Sequence, residues 1–164
     1  LFSHIKSILQ EEGPKHVTTR IRNSIKELEI SKNAQHGDTT GVREKWINSE
    51  LFQILRKNLE RTSYNIEQES TFGRSSVDLL IGNESRRYLI EIKLAGNSSS
   101  RDKLPSQISK YRKKVPNLRK SFALMVVERE RDLPRNKSSV KHIIDETEAV
   151  HNTEVFTKKT SEFR

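Results

Sequence analysis

The sequence contains no cysteine. This absence excludes disulfide bonds, thiolate zinc sites and cysteine nucleophiles. It is consistent with a reducing compartment, so we expect a cytoplasmic or nucleoid-associated protein. No apolar run approaches the length of a membrane span, and no signal-peptide pattern is visible. We therefore expect no membrane partner.

Aromatic residues are also scarce, at 6% of the chain. That leaves little material for the stacking platforms that hold single-stranded bases. Hydrophobic residues make up only 32%, so the core must be concentrated in a few segments. Basic residues, in contrast, outnumber acidic ones by 31 to 22, giving a formal charge of +9. This balance favours a polyanionic partner, with DNA expected first and RNA left open.

The periodicity of apolar residues divides the chain into two parts. Residues 1–40 are predicted to be a helical N-terminal extension and a polar linker, and residues 41–164 a single domain. Within the domain we predict helices at 42–61, 105–114 and 139–150, and strands at 64–71, 77–81, 86–94, 122–127 and 154–157. This order indicates an α/β or α+β domain with a mixed sheet.

The hairpin at 77–94 carries the most informative residues. Alternate strand residues face opposite sides, so one face is predicted to be almost wholly apolar and to meet the core. That face would consist of Val77, Leu79, Ile81, Tyr88, Ile90, Ile92 and Leu94. The other face would carry Asp78, Leu80, Leu89, Glu91 and Lys93. A two-residue turn at Asn83–Glu84 would place Asp78 opposite Leu89, with Glu91 diagonally across.

Two carboxylates on one strand face would repel each other without a cation between them. An oxygen-rich site of this kind suits a hard divalent ion, Mg²⁺ or Mn²⁺. Lys93 on the same face could orient or help deprotonate a water, or stabilise a phosphoryl oxygen. The competing interpretation is an exposed strand face with an ordinary Glu–Lys pair, because acid-x-Lys triplets are common.

Two segments of this hairpin resemble the core motif of the PD-(D/E)XK nuclease superfamily. They are Ser76-Val77-Asp78-Leu79-Leu80-Ile81 and Tyr88-Leu89-Ile90-Glu91-Ile92-Lys93-Leu94. That superfamily includes restriction endonucleases, archaeal Holliday-junction resolvases and recombination exonucleases. Its motif pairs an Asp on one strand with an acid-x-Lys on the next, and Val77 replaces the usual Pro. The resemblance covers roughly residues 42–128.

The resemblance implies a restriction-endonuclease-like fold and metal-dependent hydrolysis of DNA, with endonuclease action favoured over exonuclease action. Asp78 and Glu91 would hold the metal ion and Lys93 would assist the water. Repair, recombination and restriction are the implied settings. Many members are dimers, so a homodimer is one expected assembly, although no dimer surface stands out.

Three further residues fit the pattern of the superfamily. Gln107 and Tyr111 resemble a Q-x-x-x-Y element that supports the active site; the alternative is that Tyr111 simply packs on the sheet. Glu50 is expected on the buried face of the first helix of the domain, where a carboxylate is costly unless paired or bound to metal. It is predicted as a third acid, with Glu44, nearer the helix N-terminus, as the competing candidate.

A basic segment follows Lys93 in the sequence. Residues 101–120 contain eight basic residues and one acid. We expect this patch to bind the phosphate backbone, although charge runs are often solvated helix faces. The predicted contacts are Lys103, Lys110, Arg112, Lys113 and Lys114.

Two rival functions remain open from the sequence. One is a non-catalytic nucleic-acid-binding module of the same fold, which would have no need of an acidic cluster beside phosphates. The other is an interaction domain whose basic helix binds acidic protein partners.

Overall fold

A five-stranded mixed sheet forms the centre of the protein. The computed structural model describes residues 14–30 and 43–160; the first thirteen residues of the predicted helical extension and the predicted linker lie outside these ranges. The strands are β1 (Asn65–Phe72), β2 (Ser75–Gly82), β3 (Arg87–Leu94), β4 (Leu118–Val127) and β5 (Thr153–Lys159). They lie in the sheet in chain order.

The first three strands form an antiparallel meander, whereas β3, β4 and β5 are parallel. Parallel neighbours need crossover connections, and helices supply them. The helices are α1 (Pro14–Glu27), α2 (Glu44–Asn58), α3 (Ser98–Arg101), α4 (Leu104–Lys114) and α5 (Ser139–Glu148). None of the helices in the described ranges is long and apolar enough to span a bilayer.

The sheet is covered on both faces, which confirms the α/β class with a mixed sheet flanked by helices. One core lies between the sheet and helices α1 and α2, and includes Ile21, Ile47, Leu79, Ile90 and Phe122. The second core lies between the sheet and helices α4 and α5, and includes Leu89, Ile108, Ala123 and Ile143.

Helix α1 is part of the first core, although the sequence assigned it to an extension. Its residues Ile21 and Ile25 are fully buried. The Lys158 amine donates hydrogen bonds to carbonyl oxygens at the C-terminal end of α1, among them that of Ile25 at 2.8 Å. A cation in this position is favourable because it meets the negative end of the helix dipole. Arg22 of α1 also pairs with Glu154 of β5 at 3.0 Å.

The β2–β3 turn is longer than predicted. Gly82 pairs with Arg87, so four residues, 83–86, form the turn. The Asn83 side chain accepts hydrogen bonds from the backbone N–H groups of Ser85 and Arg86, both at 2.9 Å. Asn side chains stabilise turns by accepting such backbone hydrogen bonds. The residues around Asn83 gave no indication of a four-residue turn.

This turn moves the strand register by two residues from the prediction. Leu80, rather than Asp78, pairs with Leu89. A shift of two keeps each side chain on its predicted face. Continued along the strands, the observed register brings Glu91 directly opposite Asp78 instead of diagonally across.

Val77 departs from the predicted apolar face. It packs in the second core, with Leu80 and Leu89, instead of joining Leu79 in the first. Pairing between β1 and β2 is interrupted beside it, where Glu69 has a φ of 53°. A non-glycine residue with a left-handed backbone conformation marks an irregularity in the strand. The side chain of Val77 changes face next to this irregularity.

Candidate active site

Asp78 and Glu91 lie where the ladder between β2 and β3 ends. The last ladder pair before them is Leu79 with Ile90. Beyond it, the backbone N–H of Asp78 donates to Oε1 of Glu91 at 2.9 Å, and the N–H of Ile92 donates to Oδ2 of Asp78 at 2.8 Å. Each carboxylate is therefore fixed by the backbone of the opposite strand and retains a second oxygen.

The environment of this pair disfavours two negative charges. Glu91 is 2% exposed. Burial, and then the charge of Asp78, raise the pKa of Glu91 well above its ordinary value. Burial also raises the pKa of Asp78 to about 6. Both carboxylates are held at the same ends of β2 and β3, and the charge of Asp78 acts on Glu91, so a shared cation, either a proton or a metal ion, would stabilise the pair.

Lys93 places a cation beside the pair. Its side chain is only 7% exposed, and its positive charge lowers the pKa values of Asp78 and Glu91, opposing the effect of burial. The Lys93 amine donates to Oγ of Ser100 at 3.2 Å. Ser100 lies on α3, whose N-cap, Asn97, accepts a hydrogen bond from the Ser100 backbone. The short helix thus accepts one hydrogen bond from the Lys93 amine. The other donors of the amine can bind water or substrate.

Glu44, and not Glu50, is the helix acid that approaches this pair. Glu50 is exposed, so the prediction that it lies on the buried face of α2 is wrong. The buried face instead follows Ile47, Leu51 and Leu55. Glu44 lies on that side at the helix start, and its Oε1 accepts from the N–H of Leu94 at 3.4 Å.

Burial raises the pKa of Glu44, against the opposing charge of Lys93. After burial, the charges of Glu69 and then of Glu44 contribute to the raised pKa of Asp78. Glu44 therefore occupies the place that the sequence analysis gave to Glu50. Glu44 was the competing candidate in the sequence analysis.

Asn48 is a site residue that the sequence analysis missed. It is 4% exposed, and its Nδ2 donates to the backbone carbonyl of Asp78 at 3.0 Å. The Gln68 side chain of β1 donates to Oδ1 of Asn48 at 2.8 Å. Asn48 stands four residues after Glu44 on the same helix face, so the burial argument applied to Glu50 could have found it.

Tyr111 faces the site from α4, and Gln107, four residues earlier, lies on the same side of that helix. The Tyr111 hydroxyl donates to the carbonyl of Ser76 at 2.8 Å. Burial, followed by the charges of Glu91 and Asp78, raises the pKa of Tyr111. Oε1 of Gln107 is buried and has no hydrogen-bond partner among the described residues. A buried acceptor without a partner is uncommon and calls for a ligand or water.

The predicted basic patch divides into two surfaces. Lys103, Lys110 and Lys114 are exposed and, with Gln107, follow helical spacing along the side of α4 that borders the site. We call these three lysines the α4 stripe. Lys114 also donates to Ser75 at the start of β2, at 3.3 Å.

The rest of the basic segment lies elsewhere. Arg112 and Lys113 border a hollow between α4 and the end of α5. Arg101, which the sequence analysis counted in the patch, is 6% exposed. Its guanidinium donates to the carbonyl of Ala95 at 2.8 Å and to Asp102 at 3.0 Å. Arg101 therefore braces the loop after β3 and is not available to a phosphate backbone.

The donor set fits a magnesium or manganese ion that is completed by a ligand. Within residues 14–30 and 43–160, no three carboxylate or histidine side chains come together closely enough to hold an ion by themselves. Mg²⁺ is, however, commonly held by one or two carboxylates together with waters and substrate phosphates. Asp78 and Glu91 supply such a pair of oxygens, and the unpartnered Gln107 oxygen could accept from a bound water.

Comparison with known proteins identifies a family but no activity. The model of a family described as "Domain of unknown function (DUF8371)" matches residues 11–130. The match includes α1 and the strands that carry Asp78, Glu91 and Lys93. No curated protein and no solved structure matches the chain significantly.

Proposed function

The chain belongs to the DUF8371 family, and from its site we propose that it is a metal-dependent nuclease that hydrolyses phosphodiester bonds in DNA. In this proposal the protein is a PD-(D/E)XK nuclease, and its mixed sheet with flanking helices is a restriction-endonuclease-like core. The observation that carries the proposal is the pair of hydrogen bonds that holds the Asp78 and Glu91 carboxylates across the ends of β2 and β3, with the Lys93 charge beside them.

Burial of two acids is costly unless something compensates for it. A structural role would be served by apolar side chains at the same positions, since both strands are otherwise apolar there. Asp78 and Glu91 instead have raised pKa values and are fixed by backbone N–H groups. Strongly perturbed carboxylates held in fixed positions are typical of functional sites.

Asp78 and Glu91 would hold the divalent ion through the oxygens that are not bound to the backbone. When bound, Mg²⁺ or Mn²⁺ supplies charge stabilisation at a phosphoryl oxygen and lowers the pKa of a coordinated water. Asn48 holds the Asp78 backbone in place, and Glu69 and Glu44 add negative charge next to the pair.

Lys93 would assist the hydrolysis itself. Among the residues that the structure describes, its amine donates one hydrogen bond, to Ser100, and a lysine ammonium has three donors. The remaining donors can orient the attacking water or stabilise negative charge on the phosphoryl group. Tyr111 and Gln107 line the α4 side of the same space and position the groups around it.

The α4 stripe would bind the phosphate backbone on one side of the site. Contacts between lysines and phosphates carry affinity without reading sequence. Recognition through α4 is therefore expected to be independent of base sequence.

A cleavage assay tests the proposal. The full chain is incubated with Mg²⁺ or Mn²⁺ and four DNA substrates: linear duplex, single-stranded, circular and branched. We expect cleavage of at least one substrate, and its loss when the metal is chelated. Binding without cleavage of any of them would favour the non-catalytic module, whereas cleavage that survives chelation would contradict a metal-dependent site.

A further inference from the structure

A hollow between α4 and the end of α5 lies on the other side of α4 from the candidate active site. It measures about 490 Å³ and is bordered by Ser109, Arg112 and Lys113 of α4 and by Glu146 and His151. Ser109, Arg112 and Lys113 are spaced three and four residues apart, so they project from one face of the helix. None of the roles assigned to the active site uses this face.

Arg112 is the unusual residue of the hollow. Nη1 of its guanidinium is buried and makes no hydrogen bond among the described residues. Arginine cannot be neutralised in proteins, so a buried guanidinium nitrogen without an acceptor is costly. Cations in the last turn of α4 are favourable for the helix dipole, but that effect needs no buried nitrogen. Arg112 also borders the hollow, so an anion bound there would meet its guanidinium, and a rotation of that group would give Nη1 an acceptor.

The charges around the hollow favour an anion. Arg112 and Lys113 are both positive, and Ser109 adds a hydroxyl donor. The one acid that borders it, Glu146, is already bonded to His142 on α5 at 2.9 Å. A guanidinium, an ammonium and a hydroxyl together match the several acceptor oxygens of a phosphate group.

We propose that this hollow is a phosphate-binding site, separate from the active site, with Arg112 and Lys113 as its principal ligands. The binding of a phosphate group does not depend on the proposed nuclease function. The identification of that group as part of a DNA backbone does rest on it. Lys113 and Lys114 are adjacent in sequence, so a backbone that follows the α4 stripe reaches the hollow by turning round the C-terminal end of α4.

The test compares a double variant, Arg112→Gln with Lys113→Gln, to the wild type. Its matched control is Arg56→Gln with Lys57→Gln, which removes the same pair of residue types from the last turn of another helix. The first readout is the melting temperature in sodium phosphate and in sodium chloride of equal ionic strength. The second is the salt dependence of duplex DNA binding in Ca²⁺. Lys113→Gln alone, at an exposed position, provides a variant with little risk to folding.

We expect phosphate to raise the melting temperature of the wild type and of the control, but not that of the Arg112/Lys113 variant. If the occupant is a backbone phosphate, the slope of log affinity against log salt should also fall by about 1 to 2 units, since each duplex phosphate contact contributes roughly 0.9. Loss of the phosphate effect with an unchanged slope would support the site and assign it to free phosphate or a small phosphorylated ligand.

Two results would overturn the proposal. One is an equal phosphate effect and an equal salt slope in the variant and the wild type. The other is a marked fall in the melting temperature of Arg112→Gln without phosphate, because the guanidinium would then already have its partner within the protein. The melting readout uses no DNA, so a failure of the nuclease proposal leaves this test intact.

Discussion

The carboxylates of Asp78 and Glu91 each accept a backbone hydrogen bond from the opposite strand. The N–H of Asp78 donates to Glu91, and the N–H of Ile92 donates to Asp78. These side-chain contacts continue the β2–β3 connection beyond its last ladder pair. The same interactions that hold the strands together therefore hold two acids against each other, and this makes the pair sensitive to protons and metal ions.

The stability of the metal-free protein should fall as pH rises. The folded-state pKa of Asp78 is about 6 against an ordinary value of 3.8, and burial also raises the pKa of Glu91 well above its ordinary value. The folded chain thus holds protons that the unfolded chain releases, so their stabilising effect is complete below pH 4 and is lost as pH rises through 6 and above. Thermal unfolding at several pH values measures this.

Ca²⁺ or Mg²⁺ should reverse that loss, because a bound ion replaces the proton. We expect a larger rise in melting temperature on adding the ion at pH 8 than at pH 5. The control is Asp78→Asn, in which the rise should disappear at both pH values. An equal rise at pH 5 and pH 8 would show that the ion binds somewhere other than this pair.

Lys93→Ala should abolish cleavage and leave DNA binding largely intact. Lys93 is assigned to the chemistry and the α4 stripe to affinity, and a positioned proton-transfer group typically contributes 10² to 10⁴ in rate. Because Lys93 is buried, Lys93→Met is a second variant that keeps the length of the apolar stem. Single-turnover cleavage and equilibrium binding are measured side by side, and near-normal cleavage by both variants would show that Lys93 is not catalytic.

Glu44→Gln should slow cleavage, by roughly 10- to 100-fold if it supports the metal ligands. Glu50→Gln is its matched control, since both acids lie on α2 and only Glu44 faces the site. We expect the control to cleave at the wild-type rate. The opposite ranking of the two variants would restore Glu50 as the third acid.

Removing the three lysines of the α4 stripe should weaken DNA binding uniformly across sequences. With Lys103, Lys110 and Lys114 changed to Gln, the slope of log affinity against log salt should fall by roughly 2 to 3 units. The titration is done in Ca²⁺ so that cleavage does not interfere. Arg56→Gln with Lys57→Gln is again the control, and an unchanged slope in the triple variant would place the DNA on another surface.

Much of the fold was predictable because the spacing of apolar residues changes clearly between the helices and the strands. Helical spacing predicted α2, α4 and α5, and apolar runs predicted β2, β3 and β4, each within a few residues of the observed ends. The register of the β2–β3 hairpin was wrong because one side chain, that of Asn83, organises a four-residue turn. A two-residue turn would have placed the same side chains on the same faces of the strands, so the alternation of apolar residues did not distinguish the two turns.

The site was predictable where the strand period determines the face, and less so where a helix contributes. The face of Glu91 and Lys93 follows from alternation along β3. The choice between Glu44 and Glu50 depends on how α2 is rotated against the sheet, which the spacing of Ile47, Leu51 and Leu55 settles only once those residues are known to be buried. The burial of Arg101 depends on a loop contact, with Ala95, that no periodicity encodes.

The most direct measurement of the central claim is single-turnover DNA cleavage in Mg²⁺ by the wild type and by Asp78→Asn, with thermal unfolding and DNA binding measured on both. Asn keeps the shape of the side chain and removes the charge that would hold the ion. We predict cleavage by the wild type and a loss of roughly a hundredfold or more in the variant, with folding and binding retained. Equal cleavage rates for the two proteins would contradict a metal-dependent nuclease centred on Asp78 and Glu91.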